Sequence, residues 1–291
     1  WGFGSFRPLQ REAIDAIVSG RDSLVVMPTG GGKSLCYQAP ALAREGIAVV
    51  VSPLISLMKD QIDGLNQRGI PAVCINSSQS PEDRRKAAAD IRAGRVRLLY
   101  AAPERLTQSR FLEFLSQQKV AYFVVDEAHC ISMWGHDFRP SYRALSCLKE
   151  RFPETRIHAY TATATERVRE DITRSLGLAK PCVLVGSFDR PNLTYWFVER
   201  TNLHEQIMVI ADRHRGQSGV IYCIRRTDVE NLAAFLKRAG YNALPYHAGM
   251  ADDVRKRNQE RFLREESAIV VATVAFGMGI DKPDVRFVAH L

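Results

Sequence analysis

The chain has 291 residues, more than a typical single domain of roughly 100–200, so two compact domains are expected, with one large domain as the alternative, and its 46% hydrophobic and 25% charged residues exclude wholesale disorder. Its net charge of +8 suits a polyanionic partner, because Lys and Arg that neutralise phosphates release condensed counterions, although a solvated basic face gives the same count. No run approaches the ~18 apolar residues of a membrane span and the opening "WGFGSFRPLQ" has no basic-then-apolar leader, so a cytoplasmic protein without membrane contact is expected.

In chain order, short β-branched runs at 22–27, 47–52, 97–102, 120–126 and 157–162 predict strands, and apolar residues at helical spacing over 54–68 and 82–93 predict helices between them. This alternation predicts βαβ units and a parallel sheet covered by helices on both faces. The stretch 186–199, which contains Pro191, reads as a connection, and the domain boundary is set near Gly186, giving domains 1–186 and 187–291. A second series follows, with strands at 219–224, 242–246, 268–273 and 286–291 and helices at 226–239 and 251–264. Both ends read as cut, since there is no initiator Met and a strand candidate stops at Leu291. The cysteines at 36, 74, 130, 147, 182 and 223 lie far apart, with no Cys-x-x-Cys pair and no His-x₃-His, so they read as mostly core thiols in a reducing compartment.

"TGGGKSLCYQ" follows the first strand candidate and opens a helix. Gly30, Gly31 and Gly32 let backbone N–H groups curl around phosphate oxygens, Lys33 reaches the terminal phosphates, and the Ser34 hydroxyl suits Mg²⁺, with Thr29 at the entrance. Met27 stands where the generic phosphate-loop pattern has its first Gly, and a plain Gly-rich turn is the alternative. "YFVVDEAHC" then ends a strand in Asp126 and Glu127, at the edge where parallel sheets place ligands. Asp126 suits Mg²⁺ and Glu127 suits the attacking water, a division that phosphoryl transfer requires; a helix N-cap is the alternative for either acid.

Taken together, "FRPLQ" (6–10), "TGGGKSLCYQ" (29–38), "SPLISLMKDQ" (52–61), "APERL" (102–106), "DEAHCISMWGHDFRPSYR" (126–143), "TATAT" (161–165), "SFDRPNL" (187–193), "YHAGM" (246–250) and "VATVAFGMGIDKPDVRFVAH" (271–290) resemble the superfamily 2 helicases, and more closely the RecQ-type DNA helicases, along the whole chain. The resemblance implies two tandem RecA-like α/β lobes with mostly parallel sheets flanked by helices, the second truncated, with ATP–Mg²⁺ and DNA along the cleft. It implies ATP-driven unwinding of duplex DNA with 3′-to-5′ movement on a single strand. It puts Phe3 in a stacking role on adenine and Arg7 and Gln10 at the base edge, where the Gln amide offers both a donor and an acceptor.

The same resemblance makes Trp134, His136, Phe138 and Arg139 a loop that couples single-stranded DNA to hydrolysis, which suits aromatics interleaved with cations. Half-buried packing is the alternative for the two rings. Met133 departs from the Gln that the family usually carries there. Thr161 and Thr163 are expected to link ATP state to DNA contacts, Arg225 and Arg226 to meet the DNA backbone, and the turn of Gly277, Gly279 and Asp281 to sense nucleotide. The family's Gln-x-x-Gly-Arg-x-Gly-Arg motif and its zinc-binding, winged-helix and helical modules are expected beyond Leu291, so residues 1–291 are expected to bind ATP and DNA with little unwinding and to need no zinc of their own. DNA-repair proteins are expected partners of the parent, and a monomer is favoured. The alternatives are an RNA helicase, a double-stranded DNA translocase, or a nucleotide-gated DNA-binding module without turnover.

Overall fold

The computed structural model describes the chain except for positions 54, 76–78, 136, 188, 190, 191, 278, 279 and 281 and the side chains at 55 and 56. Two compact units result, Trp1–Asn192 and Leu193–Leu291. The first is built on strands β1 (Ser23–Val26), β2 (Ile47–Val51), β3 (Ala72–Ile75), β4 (Leu98–Ala101), β5 (Val120–Val125), β6 (Arg156–Thr161) and β7 (Cys182–Val185). Their order is β3-β4-β2-β5-β6-β1-β7, and every pairing is parallel.

The strands are apolar at nearly every position because both faces of the sheet are covered. Successive residues divide between two cores: Val26, Val49, Val51, Leu99, Phe123 and Val125 enter one, and Val25, Ala48, Val50, Leu98, Tyr100, Tyr122 and Val124 the other. Helices between the strands start where a side chain can satisfy a free amide. Ser80 accepts from the Asp83 N–H ahead of helix Pro81–Arg92, and Thr165 from the Val168 N–H ahead of helix Glu166–Ser175. All five strands expected in this half form, as β1, β2, β4, β5 and β6. Two more, β3 and β7, escape sequence reading; they are the two edge strands, and where β1 and β4, of the same length, are buried throughout, β3 is buried only at its ends and β7 alternates half-buried with exposed residues.

The second unit carries β8 (Ser218–Tyr222), β9 (Ala243–Tyr246), β10 (Ile269–Ala272) and β11 (Val285–His290) in the order β11-β8-β10-β9, again all parallel. Helices Leu203–Arg213, Arg226–Arg238 and Asp252–Arg264 separate or precede them. Here too the strands feed two cores, Ile221, Ile269 and Val271 in one and Val220, Leu244 and Val270 in the other. Among the described residues no helix is long and apolar enough to cross a membrane.

One detail of the first sheet positions the chemistry. Strand β6 lies between β1 and β5, so the carboxyl ends of these three strands stand side by side, at the sheet edge where α/β folds hold ligands.

Candidate active site

The loop after β1 must turn sharply into helix Lys33–Gln38, and its glycines make that possible. Gly30 and Gly32 sit at φ 78° and 81°, which side chains with a Cβ rarely adopt, and a Cβ on Gly31 would lie 2.9 Å from the Pro28 carbonyl oxygen. Gln10, buried beneath the loop, donates from its amide nitrogen to the Gly32 carbonyl at 3.2 Å and, more weakly, to that of Gly31, while its amide oxygen accepts from the Arg7 N–H at 2.8 Å. Arg7 itself donates to the Gly30 carbonyl. The two residues expected at the base edge therefore also brace the loop. Phe3 is 69% exposed, and Thr29 is exposed at the loop's outer side. Lys33 folds its ammonium back onto the Met27 carbonyl at 3.0 Å, at the mouth of the loop.

Asp126 and Glu127 follow the last residue of β5. Asp126 is buried; its Oδ1 accepts from the Glu127 N–H at 3.0 Å and its Oδ2 from the Tyr37 hydroxyl at 3.3 Å. Ser34 lies one turn before Tyr37 on the same helix and lowers the pKa of its hydroxyl, against the larger effect of burial. Ser34, from a helix, and Asp126, from a strand end, the two expected Mg²⁺ ligands, thus both neighbour Tyr37. Burial raises the Asp126 pKa, against the pull of the Glu127 amide and the Lys33 charge. A desolvated carboxylate beside a hydroxyl, both oxygen donors, is chemistry that fits a hard divalent cation.

Glu127 has a left-handed backbone, φ 49° and ψ 43°, a strained conformation for a residue with a Cβ, at the turn where the chain leaves the strand. Burial, then the adjacent Asp126 charge, raises its pKa to about 7, with Lys33 acting the other way. The following 3₁₀ turn, Ala128–Ile131, buries His129, whose Nδ1 lies 3.4 Å from Glu127 Oε2 and 2.8 Å from Thr161 Oγ1. Thr161 donates its hydroxyl proton to the Thr163 carbonyl, and the Met27 N–H donates to the Thr161 carbonyl. A continuous set of contacts therefore runs from the phosphate loop through the end of β6 to the acid pair.

Tyr37 and His129 are the functional neighbours that sequence reading missed. Tyr37 had a signal, since it lies three residues after Ser34 on the same helix face. The contact of His129 with Thr161 is tertiary and leaves none.

Beyond the 3₁₀ turn, Met133 and Trp134 are exposed, Trp134 at 61%, and the Arg167 guanidinium lies over the indole at 3.3 Å. Phe138 is 38% exposed. Arg139 pairs through two nitrogens with Asp137 at 2.8 and 3.1 Å, while its N–H closes the loop onto the Cys130 carbonyl. His136 lies outside the described residues, as do Gly279 and Asp281. In the second unit Arg225 and Arg226 are exposed where β8 leads into helix Arg226–Arg238, and Gly277 has φ 135° with its Cα side against the Tyr222 hydroxyl.

The family profile described as DEAD/DEAH box helicase matches residues 7–172, and that described as helicase conserved C-terminal domain matches residues 200–291. The chain is 49% identical over 290 residues to the ATP-dependent DNA helicase RecQ of Pasteurella multocida and 46% identical over 292 residues to that of Bacillus subtilis. Those alignments cover 100% of this chain and 46% and 49% of the two relatives, so the chain spans about half their length. Among solved structures, Dbp5 of S. cerevisiae superposes with a TM-score of 0.78 at 17% identity, over 98% of this chain and 73% of that one. The Mycobacterium smegmatis helicase Lhr, bound to single-stranded DNA and AMP-PNP, gives 0.68 at 21% identity, over 99% and 42%. At such identities the likeness speaks for the fold, two RecA-like lobes with parallel sheets and flanking helices.

Proposed function

Because the chain belongs to the DEAD/DEAH box helicases and matches RecQ-type members along its whole length, we propose that it forms the motor of an ATP-driven DNA helicase that moves 3′ to 5′ on one strand and unwinds duplex DNA. The observation that carries this reading is the meeting of Lys33, Ser34, Asp126 and Glu127 at neighbouring strand ends, tied through His129 to Thr161.

In this reading the loop amides of Gly30–Gly32 cradle the phosphates and Lys33 leaves its carbonyl partners to meet the terminal one. Ser34 and Asp126 hold Mg²⁺, which neutralises developing charge when bound. Glu127 orients the attacking water and takes its proton, which needs the carboxylate form. His129 and Thr161 relay the state of that site toward Thr163, and Trp134, His136, Phe138 and Arg139 meet single-stranded DNA by stacking and charge. Phe3, Arg7 and Gln10 select adenine, Gly279 and Asp281 sense nucleotide, and Arg225 and Arg226 hold the DNA backbone; these assignments rest on motif order.

The test is Lys33→Ala in the full-length protein. ATP turnover should fall to background while single-stranded DNA affinity stays within a few-fold, since Lys33 contacts phosphate charge and not DNA. Near-normal DNA-stimulated turnover sinks the assignment. Unwinding of matched DNA and RNA duplexes decides the substrate class.

A further inference from the structure

We propose that His129, Cys130 and Asp137 form a binding site for a thiophilic divalent cation, Zn²⁺ in the first instance, at the root of the aromatic loop. The three donor atoms lie within 4.8 Å of one another, and Cys130 Sγ is 3.7 Å from both His129 Nε2 and Asp137 Oδ2. A tetrahedral zinc with Zn–S near 2.3 Å and Zn–N or Zn–O near 2.1 Å separates its ligand atoms by roughly 3.6 Å, so both measured separations already match.

The protonation pattern also favours a metal. Thr161 Oγ1 uses its own hydrogen on the Thr163 carbonyl, so toward His129 Nδ1 it must accept, and the Glu127 carboxylate on the same side accepts as well. Both demand a proton on Nδ1, which leaves the lone pair on Nε2, the nitrogen that faces Cys130. An imidazole oriented through its far N–H by a hydroxyl and a carboxylate is the usual arrangement behind a metal-bound histidine. Asp137, the third donor, is held by two nitrogens of the Arg139 guanidinium, in a loop closed on the other two donors: the Arg139 N–H bonds the Cys130 carbonyl at 2.9 Å, the Ser132 N–H bonds the His129 carbonyl at 3.1 Å, and Gly135 passes so close that a Cβ there would lie 2.6 Å from the His129 carbonyl oxygen.

Binding replaces the thiol proton: the Cys130 S–H bond breaks, a Zn–S bond forms, and the proton leaves to solvent. A soft sulfur donor beside an imidazole nitrogen selects a metal with real affinity for sulfur, and Mg²⁺, which prefers oxygen, is not bound this way. The ion also competes with Arg139 for Asp137 Oδ2, which frees the guanidinium, and it pins His129, so a zinc here acts on the coupling loop and not on the Mg²⁺ ligands. The donors are two neighbouring residues and a third seven positions on, a spacing that no zinc pattern announces.

The readout is the ion itself and does not depend on ATP hydrolysis. Residues 1–291 are titrated with Co²⁺, following the thiolate-to-cobalt absorption band, and Zn²⁺ is then bound in competition with a chromophoric chelator. One ion per chain is expected, with the band abolished in Cys130→Ser and affinity lowered at least tenfold in Asp137→Asn, a half-buried position whose replacement is mild. Thr161→Val, which removes the acceptor behind Nδ1, should lower affinity by about 10–100-fold with the band retained. An unchanged band in Cys130→Ser, or no stoichiometric binding by folded wild-type chain, overturns the proposal.

Discussion

At the scale of single residues, Glu127 shows how burial and backbone strain combine. Its pKa near 7 means that the folded chain holds this proton more tightly than the unfolded chain, where a Glu titrates near 4.5. Between those values stability must fall as pH rises, and the deficit is fully present above pH 7. Without nucleotide or Mg²⁺, Glu127→Gln should therefore melt higher than wild type above pH 7 and alike below pH 4.5, checked by thermal denaturation across that range. The same variant should retain ATP while turnover drops by about 10²–10⁴, the usual worth of a general base, as nucleotide-binding and single-turnover assays will show. Collapse of ATP affinity would make Glu127 a binding residue instead. Tyr160 offers a second case: its hydroxyl is buried, with no hydrogen-bond partner among the described residues, yet its ring packs edge-on against Tyr37. Tyr160→Phe keeps the ring and removes an unsatisfied polar atom, so urea denaturation should show stability unchanged or raised by up to ~1–2 kcal/mol. A loss of that size would reveal a partner for the hydroxyl.

At the scale of elements, the loop after the 3₁₀ turn separates structural from functional worth. Trp134 is mostly exposed and the Arg167 guanidinium lies over its ring, a contact worth about 0.5–1 kcal/mol at such a site. Trp134→Ala should thus leave the melting profile nearly intact. In the full-length protein, basal ATP hydrolysis should persist while stimulation by single-stranded DNA falls sharply, since a base that stacks on the ring contributes roughly 1–3 kcal/mol. Steady-state rates with and without DNA distinguish this from misfolding, which lowers both together. The elements themselves were legible where they are long or bounded. The five expected strands of the first half form, whereas β3 and β7, edge strands only partly buried, lacked the fully apolar run of the inner ones, and helix Gln10–Val18, entered through Leu9 at φ 65° without a side-chain cap, carried no start signal.

At the scale of the whole molecule, a charge of +8 makes salt the decisive variable. The logarithm of single-stranded DNA affinity should fall linearly with the logarithm of salt concentration, with a slope near −0.7 for each phosphate contacted. A flat response would leave stacking alone to hold the strand. Motif order made Lys33, Ser34, Asp126, Glu127 and Thr161 readable before any fold was known, because each ends or follows a strand in a fixed succession. What joins them was not readable: Tyr37 between Ser34 and Asp126, and His129 between Glu127 and Thr161, are contacts made only after the sheet assembles. The sheet order itself has a further consequence. With β6 between β1 and β5, the phosphate loop and the acid pair are held two strand spacings apart, about 10 Å, a gap metered by peptide hydrogen bonds. Side chains in the layers beneath do not enter that measure. Mutational drift can therefore exchange one apolar residue for another throughout both cores and leave the gap intact, which is how chains only 17–21% identical come to inherit the same architecture.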